Sequence, residues 1–85
     1  MRILVAKQAK KDLKKLPSKI YQRIKETILL LANNPFPPNS KKLRDEEGFY
    51  RIRVGDYRLV YQLDLKERII IVTKIKHRKD VYRDF

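Results

Sequence analysis

The sequence contains no cysteine and a single histidine, His77. The lack of cysteine excludes a disulfide framework, a thiol nucleophile and a cysteine-ligated metal site. One histidine excludes any site that needs two imidazoles. The longest apolar runs, residues 28–32 and 69–72, fall far short of the roughly 20 residues that a membrane-spanning helix needs. The segment before Lys7 is too short for a secretion signal, so we expect a cytoplasmic protein with no membrane partner, no metal and no other cofactor.

Acidic residues are also scarce. Only 10 Asp and Glu stand against 22 Lys and Arg, which gives the 85 residues a formal net charge of +12. Residues 1–44 carry 12 basic and 2 acidic side chains, whereas residues 45–85 carry 10 and 8. A chain of this length forms one domain, residues 1–85, with a core of modest size. Most of the lysines fit a solvated helix face, but their summed field favours a polyanionic partner such as nucleic acid.

The spacing of apolar residues changes from helical to alternating midway along the chain. It predicts an α+β fold in the order β-α-α-β-β-β, with two antiparallel helices on one face of a mainly antiparallel four-stranded sheet and a short C-terminal tail. The predicted strands are residues 2–6, 49–54, 57–64 and 68–76. The predicted helices are residues 7–16 and a second helix that starts at Pro17 and stops at residues 33–35. Residues 35–40, with three prolines, are expected to form a surface connector.

The loop Gly55-Asp56 separates two alternating segments and predicts a tight hairpin. Glycine at its first position suits a type II′ turn. With this loop, Arg53 faces Arg58 and Arg51 faces Val60, so the alternation collects all three arginines on one face. The side chains expected to face the helices are Tyr50, Ile52, Val54, Tyr57, Leu59, Tyr61 and Leu63.

Two interpretations of the arginine face compete. Directly opposed like charges destabilise a sheet by up to about 1 kcal/mol. The simpler interpretation is a solvated face, neutralised by Asp45, Glu46 or Glu47. The functional interpretation is a preformed phosphate cradle, because guanidinium groups stay charged and bind phosphate oxygens in pairs. The choice of arginine at all three positions, in a chain rich in lysine, favours the cradle.

The last strand adds an apolar strip beside these charges. Pairing through residues 64–67 places Val60, Ile69 and Ile71 on the arginine face. Four consecutive apolar residues, 69–72, indicate a strand covered on both faces, and the helices cover only one. Either the C-terminal tail or another chain covers the second. An apolar strip next to a cationic one is typical of a site for an amphipathic protein partner.

Two segments have a distinctive sequence: residues 50–61, YRIRVGDYRLVY, and residues 77–82, HRKDVY. In combination they resemble the RelE/ParE superfamily of toxins from type II toxin–antitoxin systems. The β-α-α opening and the Lys42-Leu43-Arg44 triplet extend the resemblance over essentially the whole chain. It implies a toxin of the RelE branch, which enters the ribosomal decoding site and cleaves mRNA there. It also implies a RelB-like antitoxin that wraps the toxin and blocks it.

The resemblance carries the functional positions onto Arg51, Arg53, Arg58, Arg78 and Tyr82, and several relatives have lysine at the first two. RNA can be cut without metal when its 2′-hydroxyl attacks the adjacent phosphorus. We assign the stabilisation of negative charge in the transition state to Arg53, Arg58 and Arg78. We assign to Arg51 the role of holding the RNA backbone. Tyr82 is assigned to base stacking or proton transfer.

The alternation also turns His77 toward the arginine face, provided that the last strand reaches it. Proton transfer by His77 is therefore a hypothesis, although a histidine in such a place is more often an ordinary surface residue. Four more basic residues are expected to contact RNA: Lys42, Arg44, Lys76 and Lys79. Since a strong general base is missing, cleavage would depend on the ribosome orienting the mRNA.

Three alternative functions stay open at this point. A ParE-like chain would inhibit DNA gyrase by binding, without catalysis. A basic module could bind RNA with no activity, and an inactive relative would bind only its antitoxin. The cluster of arginines on one sheet face favours the endoribonuclease.

Overall fold

The computed structural model describes residues 1–81. Five strands and three helices follow one another along them and form the expected α+β fold. In chain order they are β1 (Arg2–Val5), α1 (Lys7–Lys14), α2 (Ser18–Asn33), β2 (Ser40–Lys42), β3 (Phe49–Val54), β4 (Tyr57–Asp64), β5 (Ile69–His77) and α3 (Arg78–Val81).

The strands form one sheet in the order β1-β5-β4-β3-β2. β1 pairs with β5 in parallel, and all other pairs are antiparallel. The prediction of four strands was one too few, because β2 pairs with β3 directly after the proline-rich connector. Three polar residues cannot show an apolar alternation, so nothing in the sequence marks this edge strand.

Local chemistry explains where the two long helices begin and end. Pro17 caps α2 in an extended conformation, and its carbonyl accepts the first helical hydrogen bond, from the Tyr21 N–H at 2.9 Å. Asn34 is extended where the helix ends, as is usual for a residue that precedes proline. The end of α1 tightens, because the N–H groups of Lys15 and Leu16 bond to carbonyls three residues back.

The core lies between the helices and the predicted face of the sheet. Ile24 and Leu31 of α2 and Ala9 of α1 are buried against strand residues that include Leu59 and Tyr61. Tyr61 is fully buried, and its hydroxyl donates to the Pro35 carbonyl at 2.8 Å. Burial raises the pKa of Tyr61. This bond fixes the connector against the sheet, so that β2 starts close to β3.

The β3–β4 hairpin has the predicted register, with Val54 opposite Tyr57 and Arg53 opposite Arg58. Gly55 has a φ of +60°, and Asp56 does not share the positive φ. This combination fits a type II′ turn, in which only the first loop residue leaves the ordinary region. A two-residue loop allows no slip, so it fixes the face that every arginine occupies.

A β-bulge interrupts the pairing of β4 with β5. Tyr61 pairs with Val72, but the next residue, Val60, pairs with Lys74. The hydroxyl of Thr73 donates to the Val60 carbonyl at 3.0 Å. The extra residue reverses the alternation in the second half of β5, so that residues 74 and 76 share a face with 69 and 71.

The bulge contradicts one prediction. His77 pairs with Tyr57 on the helix-covered face, and the two ring centroids are 5.3 Å apart in an edge-to-face contact. The expectation that His77 lies on the arginine face was wrong, because it assumed unbroken alternation through Thr73.

β5 extends past the end of β1, and there a side chain of α1 accepts a hydrogen bond from its unpaired edge. Asp12 is 5% exposed, and its carboxylate accepts the Ile75 N–H at 3.0 Å, the Lys76 ammonium at 3.1 Å and the Gln8 amide at 3.0 Å. It therefore supplies the acceptor that a longer β1 would provide. Burial alone would raise the pKa of Asp12, but these bonds and the charge of Lys76 outweigh burial and lower it. Within residues 1–81, no helix has the length and apolar character to cross a membrane.

Candidate functional site

Three arginines line one surface cavity. Arg51 and Arg53 come from β3 and Arg58 comes from β4, and with Asn39 and Lys41 they enclose about 370 Å³. The prediction that the hairpin collects these guanidinium groups on one face is confirmed. The opposed pair, Arg53 and Arg58, lies nearest the turn. The cavity is therefore a concentration of fixed positive charge.

The contacts of this pair leave much of its charge unneutralised. The Arg53 Nε donates to the Gly55 carbonyl at 3.1 Å, and the Arg58 Nη1 donates to the Tyr57 carbonyl at 3.3 Å. Among residues 1–81, neither arginine has a carboxylate within 4.0 Å. Carbonyl contacts orient a guanidinium group without cancelling its charge, so both can still bind an anion.

Arg78 lies at the same end of the sheet, at the start of α3. Its N–H donates to the Asp56 carbonyl at 2.7 Å, and its Nε is 3.9 Å from the Asp56 carboxylate. Both side chains are more than half exposed, so this ion pair is weak and screened. Lys79 is exposed one residue later, and its N–H bonds to the His77 ring at 3.2 Å. Tyr82 lies outside the described residues.

The remaining predicted RNA contacts do not join the cavity. Lys42 pairs with Tyr50, so the alternation of β2 turns it to the helix-covered face. Arg44 is exposed in the loop after β2 and does not line the cavity. Lys76 pairs with Arg58 across the sheet, but its ammonium is bonded to Asp12 at 3.1 Å. Lys42 therefore lies on the opposite face from the cavity, and Lys76 is held in an ion pair.

Two lining residues were missed in the sequence. Lys41 pairs with Arg51, one strand over, and Asn39 donates to the Arg53 carbonyl at 3.4 Å. The face of the sheet on which these two side chains lie depends on the register of β2. That register follows from the tertiary packing of the connector. Only the Lys41-Lys42 doublet signalled that one of two adjacent lysines would face the arginines.

The apolar strip beside the cavity is only partly as expected. Ile69 and Ile71 are half-buried on the outer face of the sheet, whereas Val60 is completely buried. Val60 therefore has no exposed surface for a partner. Leu4 of β1 pairs with Ile71 and is 48% exposed, so it extends the strip to the edge of the sheet.

Comparison with known proteins identifies the family. The model of the family described as the ParE toxin of the type II toxin–antitoxin system parDE matches residues 3–82. The chain belongs to this toxin family. It is 37% identical over 89 residues to the toxin RelE3 of Methanocaldococcus jannaschii, and the match covers 100% of this chain and 99% of the relative.

Solved structures of RelE toxins share the fold of this family member. The RelB-RelE antitoxin-toxin complex from Methanococcus jannaschii aligns with a TM-score of 0.82 and 35% identity, over 96% of this chain and 98% of the matched chain. The archaeal RelE-RelB complex from Pyrococcus horikoshii OT3 aligns with a TM-score of 0.80 and 34% identity, over 91% and 93%.

In this member of the toxin family, the described residues among those inferred from the resemblance fall into two groups. Arg51, Arg53 and Arg58 line one cavity, and Arg78 is held beside the hairpin turn at the same end of the sheet. The catalytic and RNA-binding roles of these residues stay predictions, and the geometry supplies the places in which those roles can be tested.

Proposed function

We propose that this toxin is a ribosome-dependent endoribonuclease that cleaves mRNA and thereby inhibits translation. The observation that carries the proposal is the arginine-lined cavity, in which Arg53 and Arg58 have no carboxylate partner among residues 1–81. Two directly opposed guanidinium groups cost stability unless an anion lies between them. A phosphodiester is the anion that suits their paired donors.

The proposed reaction uses the nucleophile that RNA itself carries. The 2′-hydroxyl attacks the adjacent phosphorus, the bond to the 5′-oxygen breaks, and the products are a cyclic phosphate and a 5′-hydroxyl. Negative charge builds on the phosphorane oxygens, and Arg53 and Arg58 are positioned to bind them. Arg51 holds the RNA backbone, and Arg78 adds charge from the end of the sheet. In this scheme guanidinium groups supply the positive charge that a bound metal ion supplies in other nucleases.

A RelB-like antitoxin is the proposed partner. The two archaeal relatives were solved as complexes with RelB, which supports a partner of the same kind for this chain. The surface available to it combines the exposed Leu4 and the half-buried Ile69 and Ile71 with the arginines on the same face of the sheet. We expect the antitoxin to place apolar side chains on this strip and acidic ones opposite Arg53 and Arg58.

Primer extension in a translation extract tests the nuclease proposal. The wild-type chain should create new mRNA 5′ ends, and Arg58→Ala should abolish them, since Arg58 would bind the reacting phosphate. The control is Lys66→Ala, which removes an exposed charge from the turn at the opposite end of β4 and should cut normally. Circular dichroism must show that Arg58→Ala folds. An unfolded variant would mean that Arg58 is structural, and intact mRNA with the wild-type chain would contradict the proposal.

A gyrase inhibitor is the second candidate, because the matching family model is described as the ParE toxin of parDE. Such a chain acts by binding alone. A supercoiling assay run beside the translation extract separates the two functions. Inhibited supercoiling with intact mRNA would replace the nuclease proposal with this one.

A further inference from the structure

Most of the groups that line the arginine cavity cannot exchange a proton. The guanidinium groups stay protonated throughout the accessible pH range, and the Asn39 amide is neutral. Lys41 is the exception among the described lining residues, because its ammonium group can give up a proton and take it back. Cleavage of RNA needs such a group, since the leaving 5′-oxygen is a poor leaving group until it is protonated.

The backbone holds Lys41 firmly at the rim of the cavity. Just before it, both the N–H and the hydroxyl of Ser40 bond to the Pro37 carbonyl, at 2.9 and 2.7 Å. Two residues after it, the Leu43 N–H bonds to the Phe49 carbonyl at 2.9 Å. These bonds fix the register that pairs Lys41 with Arg51. Residues paired in this way have Cβ atoms about 4.5–5.5 Å apart on the same face.

The side chain itself is available for substrate. Lys41 is exposed, and among residues 1–81 no carboxylate lies within 4.0 Å of its ammonium group. The other candidates for proton transfer are less well placed. His77 contacts Tyr57 on the opposite face, and Lys76 is bonded to Asp12.

We propose that Lys41 is the general acid of the cleavage reaction, an inference that rests on the proposed nuclease function. As the bond between the 2′-oxygen and phosphorus forms, the bond between phosphorus and the 5′-oxygen breaks. The Lys41 ammonium gives its proton to the departing 5′-oxygen, which leaves as a 5′-hydroxyl. The proton of the 2′-hydroxyl passes to solvent water, and the neutral amine of Lys41 recovers a proton from solvent. The neighbouring arginines bind the phosphorane charge and transfer no proton.

A change of leaving group tests this role. Two mRNAs are compared on translating ribosomes, one normal and one in which sulfur replaces the bridging 5′-oxygen at the cleaved linkage. A thiolate leaves without protonation, so it needs no general acid. The toxin is saturating and a single turnover is followed, so that weaker binding does not enter the rate. The variants are Lys41→Met, which removes the charge and the proton, and Lys41→Arg, which keeps the charge and loses the proton. Lys66→Met and Lys66→Arg in the β4–β5 turn are the matched controls.

Both Lys41 variants should cut the normal mRNA about 100-fold more slowly than the wild type, or slower still. Both should cut the sulfur-containing mRNA at nearly the wild-type rate, and the Lys66 variants should match the wild type on both. Equal losses on the two substrates would mean that Lys41 contributes only charge, which overturns the inference. Normal cleavage by Lys41→Arg overturns it as well. A wild-type chain that cuts neither mRNA contradicts the nuclease function itself, so the two failures are distinguishable.

Discussion

At the scale of single residues, the sheet carries charges in two contrasting ways. Asp12 is buried, and three donors satisfy its carboxylate. Arg53 and Arg58 face each other on the outer side of the sheet, and their guanidinium groups donate hydrogen bonds to backbone carbonyls. The first arrangement stabilises the fold, whereas the second opposes two like charges and works against it. Stability and the candidate site therefore depend on different residues and can be measured separately.

Asp12→Ala tests the stabilising arrangement. It leaves the Ile75 N–H without an acceptor at the edge of β5 and separates Lys76 from its partner. An unsatisfied buried donor costs about 1–3 kcal/mol, so urea denaturation should show a decrease of this size in the free energy of unfolding. Asp12→Asn keeps an oxygen acceptor for Ile75 and should lose less. Equal stability of all three chains would mean that the β5 edge does not need this acceptor.

The same carboxylate predicts how stability depends on pH. The pKa of Asp12 in the folded chain lies below its ordinary value of 3.8, so the folded state favours the charged form. Its contribution is complete above that value and is lost as the pH falls through the lower, folded pKa. The stability difference between wild type and Asp12→Asn should shrink in urea titrations below pH 3.8. A difference that stays constant down to the acid transition would contradict the assigned pKa direction.

At the scale of elements, the register of the β3–β4 hairpin determines where the arginines lie. Gly55 in turn determines the conformation of the hairpin loop. An alanine at this position would have to adopt a φ of +60°, and its Cβ would lie 3.2 Å from the flexible end of Arg23. The Arg23 side chain can move aside, so the backbone conformation dominates the cost, about 1–3 kcal/mol. Gly55→Ala should lose this much in urea denaturation. Asp56→Ala, whose φ is ordinary, should lose less, and the reverse order would contradict a type II′ turn.

The same hairpin explains which parts of the fold the sequence could predict. A glycine loop between two alternating segments fixes bounds, register and face at once, so β3 and β4 were predicted to the residue. The cavity arginines followed from that register. The bulge at Thr73 and the short strand β2 depend on packing between distant segments, which leaves no periodic signal. His77 was therefore assigned to the wrong face, and Lys41 was missed.

At the scale of the whole molecule, most of the net charge and the cavity arginines come from different parts of the sequence. The net charge of +12 comes mainly from residues 1–44, whereas all the arginines of the cavity lie in the second half. The broad field can draw the chain to RNA of any sequence, because contacts to phosphates carry no sequence information. In the proposed reaction, attraction alone would not bring a 2′-hydroxyl into line with the scissile bond, so the alignment would have to come from another source.

The ribosome is the source of that alignment in the proposed mechanism, which leads to a prediction about the intact chain. Orientation of the reacting groups can contribute about 7–11 kcal/mol to a reaction barrier, more than one acid or a few cations supply. Wild-type toxin should therefore bind naked mRNA but scarcely cut it, and should cut the same mRNA rapidly on translating ribosomes. Gel shift measures binding and primer extension measures cleavage, both on one labelled message.

Arg58→Ala should bind the message but not cut it, on or off the ribosome, so it controls for contaminating nucleases. Equal cleavage rates on free and ribosome-bound message would show that the cavity aligns the RNA by itself, and the toxin would then need a general base of its own.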